Sequence, residues 1–464
     1  MKTNLSEATL APLFAKLRTA NDAFAQRYPG ERSARQPVHT VYGGAHLFRA
    51  NTAPRLGELA RASLAAHAPD FIAFARAVDL PGAHRIHESP RDAWLAETVY
   101  ARVVEKLARE PVEDFRIDFE DGYGTRSDAE EDGHAVAAAN EVAKALAEGT
   151  LPPFIGIRIK PLTEEHHARS LRTLDGFLGT LLEATGGKLP PNYVTTLPKV
   201  QLPEHVAVMA EALELLEARF RLPKGSLVFE IMVEQTQAIF APDGKVALPA
   251  LIDAAAGRCV AAHLGTYDYT ASCGITAAHQ HMAHPACDFA KHVMQVSLAG
   301  TGIWLSDGAT NVMPVGPHRG AQLTPQQIAE NRQSVHDAWK LHMRHTRGSL
   351  ETGFYQGWDL HPAQLPVRFA AVYAFFLEAL APASERLKNF VEKAAQATLV
   401  GDVFDDAATG QGLLNFFLRG IHCGAITEEE ASATGLGLDE IRGRSFVKIL
   451  RDRADPQRIT AVPS

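Results

Sequence analysis

Apolar positions along this chain follow two rhythms. Short runs, apolar at every position or at every second one, lie near residues 40, 116, 156, 195, 229, 261, 303 and 358. Runs of that length bounded by turn residues predict buried strands. Between most of them stand longer stretches with apolar residues three and four apart, such as WLAETVYARVVEKLARE, VAVMAEALELLEARF and QQIAENRQSVHDAWKLHMRHT, which predict helices with one face buried. Helix-end signals agree. Ser127 with Glu130 forms a capping box that opens an alanine-rich helix stopping at Gly149, Thr324, Pro325 and Gln327 open a long one, and Thr427 with Glu430 opens another. Eight strands alternating with helices predict an α/β fold, a parallel (β/α)8 TIM barrel over residues 36–368. Residues 1–35 read as an N-terminal helix followed by the polar linker YPGERSARQP. From Phe369 the pattern is helical only, a C-terminal all-helical extension over 369–464 that would act as a lid or in oligomerisation.

Composition narrows the class without changing it. The chain has 464 residues, enough for a barrel and an accessory region, and 46% of them are apolar, as in a globular protein. No unbroken apolar run approaches the ~20 residues needed to cross a bilayer, and the start, MKTNLSEATLAPLFAKLRTA, lacks the apolar core of a signal peptide. The expectation is a cytoplasmic protein with no membrane partner. A net charge of −8 without a basic block speaks against a nucleic-acid surface. Cys259, Cys273, Cys287 and Cys423 show no CxxC pairing, so neither a zinc ribbon nor a disulfide scaffold is supported.

Chemistry is concentrated where the predicted strands end. LVFEIMVEQTQ and RCVAAHLGTYDY, joined by the turn APDG and the apolar run ALPALIDAAAG, read as a βαβ unit. Glu234 and Asp268 then sit just past the C-terminal ends of two neighbouring strands, 34 residues apart. Two carboxylates so placed can hold one hard divalent cation that keeps several waters, or they are ordinary loop acids. The strand FRIDF empties into Asp118, Glu120 and Asp121, a grouping that costs free energy unless cations, donors or water compensate it. PFIGIRIK carries Arg158 and Lys160 on one face. An arginine at a strand end suits a carboxylate or phosphate, or is simply solvated there. Gly43 and Gly44 in the first strand allow a close backbone or ligand approach, or mark a bulge. Asp307 lies near the end of the strand TGIWLSDGATNVMP. His279, His281 and His284 have a spacing that matches no standard zinc signature.

In order and approximate spacing, six segments resemble the HpcH/HpaI aldolase superfamily, in particular its citrate lyase beta-subunit and malyl-CoA lyase-like branch. They are DFEDGYG, IGIRIK, TLPKVQLPEHV, VEQTQAI, HLGTYDYTASCGI and GWDLHPAQL, over roughly residues 40 to 370. The resemblance implies that Glu234 and Asp268 bind Mg²⁺ or Mn²⁺. It implies that Arg158 contacts a substrate oxo-acid or the phosphate of a thioester carrier, with Asp118, Glu120 and Asp121 organising metal-bound waters and neighbours. Gly265, Thr266, Lys199 and His361 become substrate-side elements of the barrel mouth, Lys199 and His361 mainly as positional ones.

The activity so implied is a metal-dependent carbon–carbon lyase or aldolase acting on a hydroxy acid or its CoA thioester, through a 2-oxo acid and its enolate. CoA would enter, where it is used, as part of the substrate. Phosphoenolpyruvate-type chemistry on the same barrel and a non-catalytic metabolite-binding protein that keeps the metal site are the alternatives. A homo-oligomer is expected by resemblance alone, and Asp405 and Asp406 would either reach a neighbouring subunit's mouth or cap a helix. This chain departs from the branch at Gln235, where a threonine is expected, at the WDL approach to the His-Pro pair, in SDGATNVMP, and in the length of its C-terminal region. Those departures bear on substrate identity more than on metal binding.

Overall fold

A computed structural model describes residues 4–320, 322–392, 398–400, 403–405, 407–443 and 448–449. All eight expected strands form: β1 His39–Gly44, β2 Asp114–Asp118, β3 Phe154–Arg158, β4 Tyr193–Leu197, β5 Val228–Val233, β6 Cys259–Leu264, β7 Trp304–Ala309 and β8 Gln356–Asp359. They pair in sequence order, all parallel, and β1 closes on β8 through Thr40 opposite Trp358 and Val41 opposite Asp359. This is the (β/α)8 barrel that the alternation of strand and helix signals predicts.

Period two along each strand separates two environments. Outward positions such as Val41, Phe115, Ile117, Ile157, Phe229, Ile231 and Leu264 are apolar and pack against the helix layer. The inward set is polar, although the lumen of such a barrel is ordinarily filled by branched apolar side chains. Arg116 donates to Glu230 through Nε and Nη2 (3.0 and 2.9 Å), to the Thr196 hydroxyl at 3.0 Å and to Asp114. His263 lies 3.3 Å from Glu230, and Gln356 donates to Thr40 at 3.0 Å. Paired and hydrogen-bonded in this way the buried charges are tolerated, where a lone one would cost several kcal/mol.

Helices surround the barrel in chain order. α1 (Glu7–Arg27) precedes it, and α2 (Thr52–His67), α3 (Phe71–Ala77) and α4 (Pro90–Arg109) follow β1. α5 (Asp128–Glu148), α6 (His167–Ala184) and α7 (Pro203–Phe220) follow β2, β3 and β4, and α8 (Leu248–Ala254) follows β5. α9 (Thr266–Ser272) and α10 (Pro285–Leu298) follow β6, and α11 (Pro325–Glu351) and α12 (Leu365–Glu392) follow β7 and β8. The capping boxes at Ser127, Thr324 and Thr427 form as read, and Gly149 ends α5 at φ +69°. α12 packs on α4 and α11, so the boundary drawn at residue 368 falls inside the helix that completes the outer ring. By length and composition α12 with its preceding turn could cross a membrane (mean hydropathy 1.4), yet 67% of its most apolar window is buried inside the molecule. Beyond it come a ribbon of β9 (Thr398–Val400) and β10 (Val403–Asp405), then α13 (Ala407–Cys423), α14 (Glu428–Ser432) and α15 (Leu438–Arg442). α1 has no buried residue.

Candidate active site

Strand register brings the sequence's acids and bases to one end of the barrel. Asp118 and Arg158 are the last residues of β2 and β3 and stand directly opposite each other in the ladder. Asp118 is fully buried and accepts from Arg158 Nε at 2.7 Å and Nη2 at 2.6 Å. Its oxygens also accept the backbone N–H groups of Glu120 (3.0 Å) and Gly122 (2.7 Å). One carboxylate therefore both fastens the arginine and folds the loop after β2. That loop lies against Gly44, where an added Cβ would come within 2.5 Å of the Gly122 carbonyl, so the glycine serves a close backbone approach. Arg158 has its Nη1 left for Glu120 Oε2 at 3.1 Å, with Asp121 at 3.7 Å. Burial disfavours its charge, but Asp118 first and Glu120 next outweigh that, and its pKa stays well above the ordinary value.

Lys199, two residues past β4, connects the remaining acids. Its backbone adopts φ +50°, and its N–H donates to Glu234 Oε1 at 2.6 Å. Its ammonium group bonds Glu120, reaches Asp121 at 3.1 Å and stands 3.6 Å from Asp268 Oδ2. Glu234 directly follows β5 and is buried, whereas the Asp268 side chain, in the first turn of α9, is 39% exposed. Gly265 precedes α9, and an added Cβ there would come 2.5 Å from Glu234 Cβ and Oε2, so the carboxyl group rests on bare backbone. Burial drives the Glu234 pKa up to about 8; Lys199 opposes this and Asp268 adds to it. Burial also raises Glu120, while at Asp121 it is outweighed by the hydrogen bond with Glu120 and the charge of Arg158, which hold that carboxyl below its usual range. Around one ammonium and one guanidinium stand five carboxyl groups, an excess of three negative charges when all are ionised.

Other candidates take other places. Thr266 is buried with its hydroxyl unpaired, beside Gly308. His361 caps the turn before α12 by accepting from the Ala363 N–H at 3.1 Å, and burial lowers its pKa. It lines an apolar cavity of about 190 Å³ behind β1, with Gly43, Phe48 and Phe115. Lys160 turns away to Glu131 at 2.7 Å, and Asp307 is buried between Lys291 (3.3 Å) and Ser349 (2.7 Å). His284 caps α10 and its ring lies near that of His281. No group of three or more His, Cys, Asp or Glu side chains among the described residues is arranged to hold a metal. Asp405 ends β10, and Asp406 lies outside the described residues.

Tyr42 was not singled out from the sequence, and Trp358 only as part of the WDL departure. Their rings stack 4.4 Å apart below the Arg158 guanidinium, which lies 4.8 Å from the Tyr42 centroid. They form the aromatic floor of the mouth. Tyr42 occupies an inward position of β1, next to the two glycines, and that alternation was the available signal.

Comparisons with known proteins agree with this fold. Over 87% of this chain and 100% of the other, the structure superposes on a citrate lyase from Burkholderia xenovorans LB400 with a TM-score of 0.52 at 17% identity. A malate synthase from Haloferax volcanii is matched over 87% of this chain and 99% of the other, with a TM-score of 0.46 at 13% identity. At such identity the citrate lyase shows a shared barrel, which is also the fold of the branch that the six segments resemble. Among curated proteins none matches the sequence significantly. The family model described as "Domain of unknown function (DUF6986)" matches residues 17–449, almost the whole chain, and the protein therefore belongs to the DUF6986 family.

Proposed function

We propose that this protein is a divalent-metal-dependent carbon–carbon lyase or aldolase acting on a hydroxy acid or its CoA thioester. The observation that carries the reading is Lys199. One residue answers Glu234 with its amide and Glu120, Asp121 and Asp268 with its ammonium group, and an excess of negative charge remains. The donors are all hard oxygens, and Glu234 is a buried acid resting on glycine, with its proton held up to about 8. Such a set fits Mg²⁺ or Mn²⁺, with Glu234 and Asp268 as protein ligands and water completing the shell. When bound, the cation supplies Lewis-acid polarisation of a carbonyl and charge stabilisation for an enolate.

The chain's own residues supply the rest. Nη1 of Arg158 points toward Glu120 and the mouth, and can share a substrate carboxylate while Asp118 fixes the rest of the fork. Glu120, raised by burial, is the better proton acceptor of the two loop acids, since Asp121 is held low. Tyr42 and Trp358 offer a stacked aromatic surface beside the Arg158 guanidinium. Arg158 and Lys199 are both already paired with carboxylates, which favours a 2-oxo acid over a more highly charged phosphoenolpyruvate.

Purified protein incubated with candidate hydroxy acids and their CoA thioesters, with and without EDTA, tests the proposal. Release of an oxo acid that needs the metal and is lost in E234Q and D268N is the expected result. Metal-dependent binding without turnover across the panel would replace it with the metabolite-binding reading, and turnover indifferent to EDTA would refute the metal.

A further inference from the structure

At the end of the barrel opposite the mouth, a cavity of about 260 Å³ opens beside the first residue of β7, Trp304, and Tyr355, which precedes β8. The linker after α1, the starts of β7 and β8, the ends of α10 and α11, and the helices α12 and α13 all contribute to it. The linker is fastened by the Gly30 N–H, which donates to the Gly300 carbonyl at 2.8 Å. The volume lies just under the ~300 Å³ at which small-molecule pockets commonly begin.

Two arginines face this space in different states. Arg419 lies 3.8 Å from the Tyr355 ring centroid and pairs with Glu31 at 2.9 Å. Among the described residues Glu31 is the only acid in the lining. Arg32 lies over Trp304 at 5.7 Å and has one weak polar contact, to the Cys259 carbonyl at 3.5 Å. No carboxylate among the described residues pairs with it, and burial lowers its pKa without an acid to restore it. A half-buried guanidinium without a counter-ion is costly, and a bound anion relieves that cost. The rest of the wall sets apolar side chains, among them Leu305 and Phe376, beside Gln36, Gln295 and His422.

We propose that this cavity is a second ligand site, which takes a small organic anion whose acid group pairs with Arg32 and whose apolar body fills the space against Trp304, Leu305 and Phe376. The acid is a carboxylate or a phosphate monoester, and the same guanidinium fork serves either.

Isothermal titration of the full chain with phenylacetate, phenyl phosphate and uncharged benzyl alcohol tests this. At least one anion binds the unaltered protein and benzyl alcohol does not, and the preferred anion identifies the head group. R32M weakens that binding at least tenfold, while E234Q, at the other end of the barrel, leaves it unchanged. If R32M does not fold, R32K is read instead, which keeps the charge without the fork and weakens binding at least threefold. Failure of both anions to bind at millimolar concentration, equal affinity in the Arg32 variant, or loss in E234Q would each overturn the proposal. Because E234Q separates the two ends of the barrel, this outcome is independent of whether the mouth is a lyase site.

Discussion

Glu234 stands in an environment that its sequence neighbours do not suggest. VFEIMVEQ carries two glutamates four residues apart: Glu230 points into the lumen, where Arg116 overcomes burial and holds it well below the usual carboxylate range, whereas Glu234 is held up to about 8. The difference is the partner, a bidentate guanidinium for one and a backbone amide for the other. Between its ordinary value near 4.5 and about 8, the folded protein keeps a proton at Glu234 that the unfolded chain has released. Its contribution to stability therefore falls as pH rises through that window. His345, lowered to about 4 by burial, has the opposite slope between about 4 and 6.5, so the comparison must be made against E234Q. We expect the thermal midpoint of the metal-free protein to drop relative to E234Q from pH 6.5 to 8. Added Mg²⁺ should raise it more at pH 8 than at pH 6.5, because binding requires the carboxylate. Equal Mg²⁺ shifts at both pH values would contradict the assignment.

At the scale of elements, the mouth depends on how β2 and β3 lie together. Asp118 opposite Arg158 is a ladder partnership, and the same carboxylate organises the first turn of the following loop. Removing it leaves a buried guanidinium short of its main partner and two loop amides without an acceptor. D118A should therefore cost about 3 kcal/mol, read as a lower urea midpoint. It should also weaken Mg²⁺ binding, although Asp118 is not offered as a ligand, because Glu120 and Asp121 lose their loop geometry. A midpoint unchanged from the parent would show that Arg158 repacks freely. How legible these elements were follows from their chemistry. Capping boxes at Ser127, Thr324 and Thr427 are local signals and were read correctly. α3 went unread because its seven residues carry neither a proline at the start nor a capping box to mark it.

For the molecule as a whole, the barrel and its outer helices form one continuous core, from Val38 through Phe390, that draws residues of α13 such as Phe417 into it. α1 stands outside this core. Leu13, Phe14, Leu17 and Phe24 are each more than half exposed, and among the described residues its one ion pair is Arg27 with Asp253 at 2.7 Å, both partly exposed. A surface pair of that kind contributes about 1 kcal/mol at most. Deleting residues 1–27 should therefore leave the circular-dichroism melting midpoint within roughly 3 °C of the full chain. A larger fall would mean that α1 covers a surface in solution that a single chain does not reveal.

The sequence alone determined the order and type of the barrel's elements, because strand and helix periods are local properties of the chain. It also placed Glu234, Asp268, Arg158 and Lys199 at strand ends, where such a barrel gathers its chemistry. Tertiary structure alone decided which of these charges meet. Asp118 is spent on Arg158, Lys199 spans four acids, Tyr42 and Trp358 become a floor, and Arg32 at the far end pairs with no acid among the described residues. Pairing of charges depends on which staves are neighbours and how their registers align, and residues 35 to 316 apart in the chain carry no local trace of that.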